Sequence, residues 1–424
     1  MMRTHFTTAV ILLMLLPGAA AAGDWPCLQG PDQSGISHEE GLARQWPATG
    51  PPVRWARSLG QGFSGPAVRD RRVFVLDRVD DEKDVLRCLD LDSGEQLWES
   101  ANDAPGRLSY NGSRGVPTVG PQRVYAVGPF GHVYCFDRKA KRRLWHVELM
   151  KAFPRDPPQF GYAQSPLPYK GSVIVCPATD TVGLVALDQV SGEVRWRSPP
   201  VGTKGYVSPI LYRHGAIDGV LFVTKQQVSC IDAKTGTLLW NYTGYHPLQP
   251  VAPPTIVNGG RLFVTAADDA GSVMLNVLQQ GKRWRVTELF KLTDYGSQLH
   301  PPVCYEGYLY GKFFTYEPGE QGQRNLVSRM ICFDLEGRIQ WKTNDRPWVE
   351  RGNLIIADGM IFTLNGQTGE LTLADARPGG YKQLARARVL QGDGSFVISP
   401  MALSEGNLLV RDQHEIKCLD ILSE

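Results

Sequence analysis

Phe63–Trp98, FSGPAVRDRRVFVLDRVDDEKDVLRCLDLDSGEQLW, holds four short strand-like runs separated by turn residues, and its parts recur to the end of the 424-residue chain. Proline opens the first run of each copy at Pro66, Pro117, Pro166, Pro209, Pro254, Pro302 and Pro400, with Asn353 in the one gap. These eight positions stand 43 to 51 residues apart. A second ladder marks the other end of the unit. An Asp, once Asn, precedes a Trp by seven or eight residues in Asp90/Trp98, Asp137/Trp145, Asp188/Trp196, Asp232/Trp240, Asn276/Trp284 and Asp334/Trp341. Two independent ladders with one period read as a β-propeller with one blade per repeat.

The second ladder explains the turn between strands three and four. Asp hydrogen-bonds to the backbone two residues on, while Gly94, Gly192, Gly236 and Gly337 can take the positive φ of a tight hairpin. Before the Asp, apolar residues alternate, as in Leu86/Cys88, Val228/Cys230 and Ile416/Cys418, the period of a strand with one buried face. Residues 53–59, VRWARSL, carry Trp55 without an Asp turn before it, and the chain ends at CLDILSE, with Asp420 but no strand after it. Each half supplies what the other lacks. The expected fold is therefore all-β: one eight-bladed propeller of four-stranded antiparallel blades over residues 53–424, closed by the N-terminal strand so that no blade is left unpaired.

Units such as CLDLDSGEQLW, ALDQVSGEVRW and CIDAKTGTLLW are similar to the tryptophan-docking repeat of the quinoprotein, or PQQ-binding-like, β-propeller superfamily. The resemblance implies that Trp55, Trp98, Trp145, Trp196, Trp240, Trp284 and Trp341 pack between neighbouring blades. It says little about function, because the same scaffold serves quinone-dependent dehydrogenases, an outer-membrane assembly lipoprotein and proteins of unassigned role. The string DWPCLQGPDQSGIS resembles the WPxxRGPxxxG opening of exported members, with Gln29 where arginine is usual.

Residues 1–22 read as a secretory signal peptide: Arg3 precedes an apolar run from Ala9 to Leu16, and Ala20 and Ala22 occupy small-residue cleavage positions. The run is shorter than the roughly 20 residues of a permanent anchor. A periplasmic or secreted protein is expected, with residues 23–52 as an irregular segment lying over the propeller. Charged residues nearly balance, 45 Lys and Arg against 43 Asp and Glu, which excludes the basic footprint of a nucleic-acid binder and implies no membrane surface. Of eight cysteines, Cys88, Cys135, Cys230, Cys332 and Cys418 share one repeat position, where other blades have Ala186, Met274 and Leu373. Such a column is an apolar packing site and argues against disulfides or a metal centre.

Several blades depart from the pattern. Arg138–Arg143, RKAKRR, replaces the glycine turn with basic residues; it reads as a solvated hairpin tip in preference to a site for an acidic partner. Blade five is degenerate around MLNVLQQGKRW, residues 312–330 of blade six read as a lengthened hairpin, and blade seven has no tryptophan and is expected to pack more loosely. The loops before the first strands converge on one face of a propeller, and they hold the clustered polar and aromatic residues: Tyr110, Asn111 and Arg114, then Tyr162 and Gln164, Tyr206, Tyr245 and His246, and Gln298 and His300. Such a set either binds a ligand by stacking and hydrogen bonding or plugs the channel.

Asp268 and Asp269 fall in a hairpin turn, and no GxSxG, HExxH or phosphate-loop motif occurs. His246 and His300 are chemically suitable bases, but no residue rises to a catalytic assignment. One expectation is a monomeric, non-catalytic exported module binding a protein, peptide or glycan of the cell envelope. The alternative is a PQQ-dependent alcohol or sugar dehydrogenase. The dehydrogenase site that the resemblance implies has a disulfide of adjacent cysteines, a calcium ion and an aspartate base. No two cysteines are adjacent in this chain, and Asp294 and Asp393 are the nearest carboxylates in these loops. PQQ is therefore not expected as a cofactor.

Overall fold

A computed structural model describes residues 23–177, 179–202, 205–267, 270–318, 324–344, 351–391 and 396–423. Eight sheets form the ring. Blade one is Ala67–Arg69, Arg72–Val79, Lys83–Asp90 and Gln96–Asp103, hydrogen-bonded in chain order. Blades two to seven repeat that order over residues 118–148, 167–197, 210–242, 255–292, 303–342 and 354–388. Blade eight takes Ala402–Ser404, Asn407–Arg411 and Glu415–Asp420 from the end of the chain, and its outer strand is Val53–Ser58. Trp55 stands opposite Cys418, the register of Trp98 opposite Cys88, so the two half-motifs complete one blade.

The short first strands lie side by side around the channel, and the second and third strands, buried on both faces, fill the spaces between blades. Polar contacts tie the inner ring from blade to blade. Ser64 Oγ donates to Gly115 O at 2.8 Å, Val116 N to Ser165 Oγ at 3.0 Å, and Ser165 N to Ser208 Oγ at 2.8 Å. Asn353, at the position where proline is missing, bridges its two neighbours: Oδ1 accepts from Met401 N at 3.0 Å, and Nδ2 lies 3.3 Å from His300 Nδ1.

The docking ladder holds at the seams that carry its glycine. A Cβ on Gly94 would come within 2.4 Å of the Trp55 ring, one on Gly192 within 2.9 Å of Trp145, and one on Gly236 within 2.6 Å of Trp196. Only a residue without a side chain lets the indole lie on that turn. Trp284 departs from the expectation. The blade-five hairpin runs on to Gln280–Arg283, so Phe290 stands opposite Met274 and packs on Gly337, while Trp284 packs at a tilt on His214 of blade four, ring centroids 5.4 Å apart. Asn276 and Trp284 kept the spacing of the ladder without its register.

Blade seven has Ala385 at the tryptophan position. Trp46, from the N-terminal segment, packs against the core cluster that contains Ala385, Val389 and Leu390, so the seam is filled from outside the repeat. The lengthened hairpin of blade six pairs from Lys312 with Met330 to Pro318 with Arg324. Its tip, the signal-like residues 1–22, Asp268, Asp269 and Asp393 lie outside the described residues. The five repeat cysteines are buried and unpaired, and burial pushes the Cys88, Cys135, Cys332 and Cys418 thiols up to about 12, which keeps them protonated and unreactive. Among the described residues no helix is long and apolar enough to cross a membrane.

Candidate functional site

Antiparallel connectivity puts the turns between strands one and two at one end of the ring and the loops between blades at the other. The N-terminal segment crosses the first end. Trp25 exchanges backbone hydrogen bonds with Val68 of blade one, and Pro26 O accepts from Val119 N of blade two. Gln33 Oε1 accepts from Leu211 N of blade four, and Ile36–Ser37 pairs in parallel with blade seven. The Glu39 carboxylate then accepts from Glu405 N and Gly406 N in a turn of blade eight. This strap closes the channel, with Leu28 and Gln29 forming its floor.

Above that floor is a cavity of about 340 Å³, walled by the inter-blade loops. One side is aromatic: Phe160 stands between Tyr110 and Tyr206, with ring centroids 5.9 and 5.6 Å away. Two guanidinium groups reach in. Arg114 donates to the carbonyls of Gly112 at 2.7 Å and of Tyr110, and lies 5.8 Å from the Phe63 ring. Arg351 lies 4.6 Å over Phe396 and 5.9 Å from Phe314, and its Nε is buried without a hydrogen-bond partner. Among the described residues neither arginine meets a carboxylate, and no Asp or Glu lines the cavity. Burial holds the Arg114 pKa down to about 10, still charged at neutral pH.

His300 is on the wall, yet both its ring nitrogens are engaged. Nε2 lies 3.1 Å from the carbonyl of Ile398, which places the proton there, and Nδ1 then accepts from Asn353. Burial, with the Lys312 charge nearby, pushes its pKa down to about 4. A neutral imidazole with both nitrogens committed is a strut rather than a base.

Tyr110, Arg114, Tyr206, Gln298 and His300 thus share the cavity wall. Asn111 is turned away onto Gln61, at 2.8 Å, and Asp81. Gln164 clamps the backbone of Cys176 with two 2.7 Å hydrogen bonds, and Tyr162 is buried against Gly131. Tyr245 is buried and donates to Gly271 O at 2.8 Å, whereas His246 is exposed. The sequence reading missed Gln29, Phe160, Gln249, Arg351 and Phe396. Arg351 had a signal: it stands two residues before Asn353, as His300 does before Pro302.

The sequence matches the family described as outer membrane protein assembly factor BamB in three overlapping stretches, residues 38–151, 81–217 and 180–299. The chain belongs to this family. No curated protein matches it. Among solved structures, this PQQ-like propeller is similar to a quinohemoprotein alcohol dehydrogenase from Comamonas testosteroni, with TM-score 0.65 and 13% identity over 96% of this chain and 82% of that one. A europium-containing methanol dehydrogenase gives 0.63 and 13% over 92% and 89%. BamB from Moraxella catarrhalis gives 0.59 and 14% over 88% and 98%. At these identities the likeness is one of fold.

Among the described residues the donor set of the cavity fits a calcium-bound quinone poorly. A hard dication favours carboxylates converging on one point, and the wall offers the amides of Gln29, Gln249 and Gln298, hydroxyls, two guanidinium groups and an imidazole, but no carboxylate. Among the described residues no group of three or more His, Cys, Asp or Glu could hold a metal.

Proposed function

We propose that the protein is an exported, non-catalytic binding module that takes a carboxylate-bearing chain end or side chain of a protein or peptide partner into the loop-face cavity. The observation that carries this reading is the pair of guanidinium groups, Arg114 and Arg351, set over aromatic faces with no carboxylate to neutralise them among the described residues. A charge held in a partly desolvated, apolar-walled site gains most from an incoming anion, and charge-assisted hydrogen bonds of this kind contribute about 1.5–3 kcal/mol each. The aromatic row of Tyr110, Phe160 and Tyr206 supplies a face for the apolar part of the ligand. The engaged state of His300 leaves no free histidine base on the cavity wall among the described residues, which favours binding over dehydrogenation.

The test is affinity capture from the native cell envelope with the wild type and with Arg114→Ala/Arg351→Ala. A partner retained by the wild type, lost by the variant and displaced by a short peptide with a free carboxylate supports the reading. Equal capture by both proteins overturns it, as does tight PQQ and Ca²⁺ binding with dye reduction on alcohols or sugars.

A further inference from the structure

The seam between blades one and two lies at the end of the ring opposite the cavity mouth, and its docking motif is altered in a specific way. Lys141 N donates to Asp137 O at 2.9 Å, the same turn bond that Gly94 makes to Asp90 and Gly192 to Asp188. Lys141 therefore occupies the glycine position, with φ of 57°. A side chain there keeps the incoming tryptophan off the turn. Trp55, Trp145 and Trp341 donate their indole N–H to a carbonyl of the next blade at 2.8, 3.2 and 2.7 Å. Trp98 shows no such bond, a lack it shares with Trp196 and Trp240, and it rests edge-on against Phe74 of its own blade, centroids 6.0 Å apart.

What remains is a cleft of about 490 Å³ with Phe74, Leu97 and Trp98 at its base. Its walls carry Arg72, Arg138, Lys139 and Lys141 against Asp70 alone. Arg138 is paired with Asp70 at 2.7 Å and Arg72 with Asp90 at 2.9 Å. Lys139 and Lys141 are exposed and form no ion pair among the described residues. A left-handed backbone on a lysine costs about 1–2 kcal/mol, a conformation that Lys141 shares with eleven other non-glycine residues among those described.

We propose that this cleft is a second docking site, for an acidic segment of a protein partner that sets an aromatic side chain against Trp98 and its carboxylates against Lys139 and Lys141. The recessed apolar floor accepts a side chain standing out from an extended chain, which a flat anionic lipid surface cannot present. Aromatic anchors in pockets rimmed by complementary charge are the usual centres of peptide recognition. The site lies away from Arg114 and Arg351, so the two can be tested separately.

The experiment is fluorescence anisotropy of the full chain with a labelled acidic pentapeptide that has phenylalanine at its centre. Binding is expected to saturate and to weaken with added salt. Lys139→Glu combined with Lys141→Glu should weaken it at least tenfold, as a reversal of two contacting charges requires. Lys141→Gly should weaken it comparably by letting Trp98 dock, while Arg114→Ala/Arg351→Ala leaves it unchanged. Circular dichroism confirms that each variant is folded. Undiminished binding in the lysine variants, equal binding of a peptide with alanine at the centre, or tighter binding of phosphatidylserine vesicles would each overturn the proposal.

Discussion

Two seams of the ring differ at one turn position. Between blades eight and one, Trp55 lies on Gly94, is buried and donates to Leu91 O; between blades one and two, where Lys141 holds the glycine position, Trp98 stays half-buried beside a cleft. Both tryptophans stand opposite a buried cysteine in the same register, so the strand pattern does not distinguish them. At these two seams the receiving turn differs, Gly94 under the indole in one and Lys141 at that position in the other; elsewhere the rule bends, since Trp196 lies on Gly236 yet is half-buried, and Trp240 is buried with no glycine against it.

The largest expected effect is at the tight seam. Trp55→Ala removes a buried ring and its hydrogen bond and should lower unfolding stability by about 4 kcal/mol, against about 1–2 kcal/mol for Trp98→Ala, both read from urea unfolding. Equal losses would break the comparison. Gly94→Ala should cost about 2–3 kcal/mol, because φ is 66° and the new methyl would press on the Trp55 ring.

A seam held by polar contacts should behave differently, and pH tests it. The His300 pKa is pushed down to about 4, below the unfolded value near 6.5. As pH falls through that window the unfolded chain takes up the proton first, so this contribution to stability is complete above about 6.5 and declines toward 4. Discounted for the face that opens on the cavity, the loss between pH 7 and 5 is about 1 kcal/mol. Unfolding curves of His300→Gln should lack that component. The smallest effect is a gain: Lys141→Gly should raise stability by up to about 1 kcal/mol by relieving the left-handed lysine and admitting Trp98, measured as a rise in Tm.

The blade count was legible because proline and the Asp–Trp spacing are local signals repeated in every unit. Ring closure was legible because Trp55 and Asp420 are complementary halves of one motif. Trp284 misled for a physical reason: lengthening a hairpin by whole residue pairs preserves alternation while moving the docking position to Phe290. The cavity was legible only in part. Loop position placed Tyr110, Arg114, Tyr206, Gln298 and His300 at the right end of the ring, but no period dictates where a loop side chain points, so Asn111 and Gln164 turned to backbone and side-chain partners instead. Gln29 stood out in the sequence only as a departure from a motif, and its place in the cavity was hidden because it enters from the strap, far away in sequence from the walls that it meets.

That strap has a consequence for how the protein comes into being. Its hydrogen bonds reach blades one, two, four, seven and eight, and the outer strand of blade eight, Val53–Ser58, finds its partner only in Glu415–Asp420. Contacts spanning nearly the whole chain form late, since their loop entropy must be met before they stabilise anything. A ribosome that has released seven blades has therefore released no closed ring, and a cavity that still lacks the wall of Phe396, Ile398 and Pro400. The cavity is completed at the last step of folding, so that a partner selecting on it would also select finished molecules.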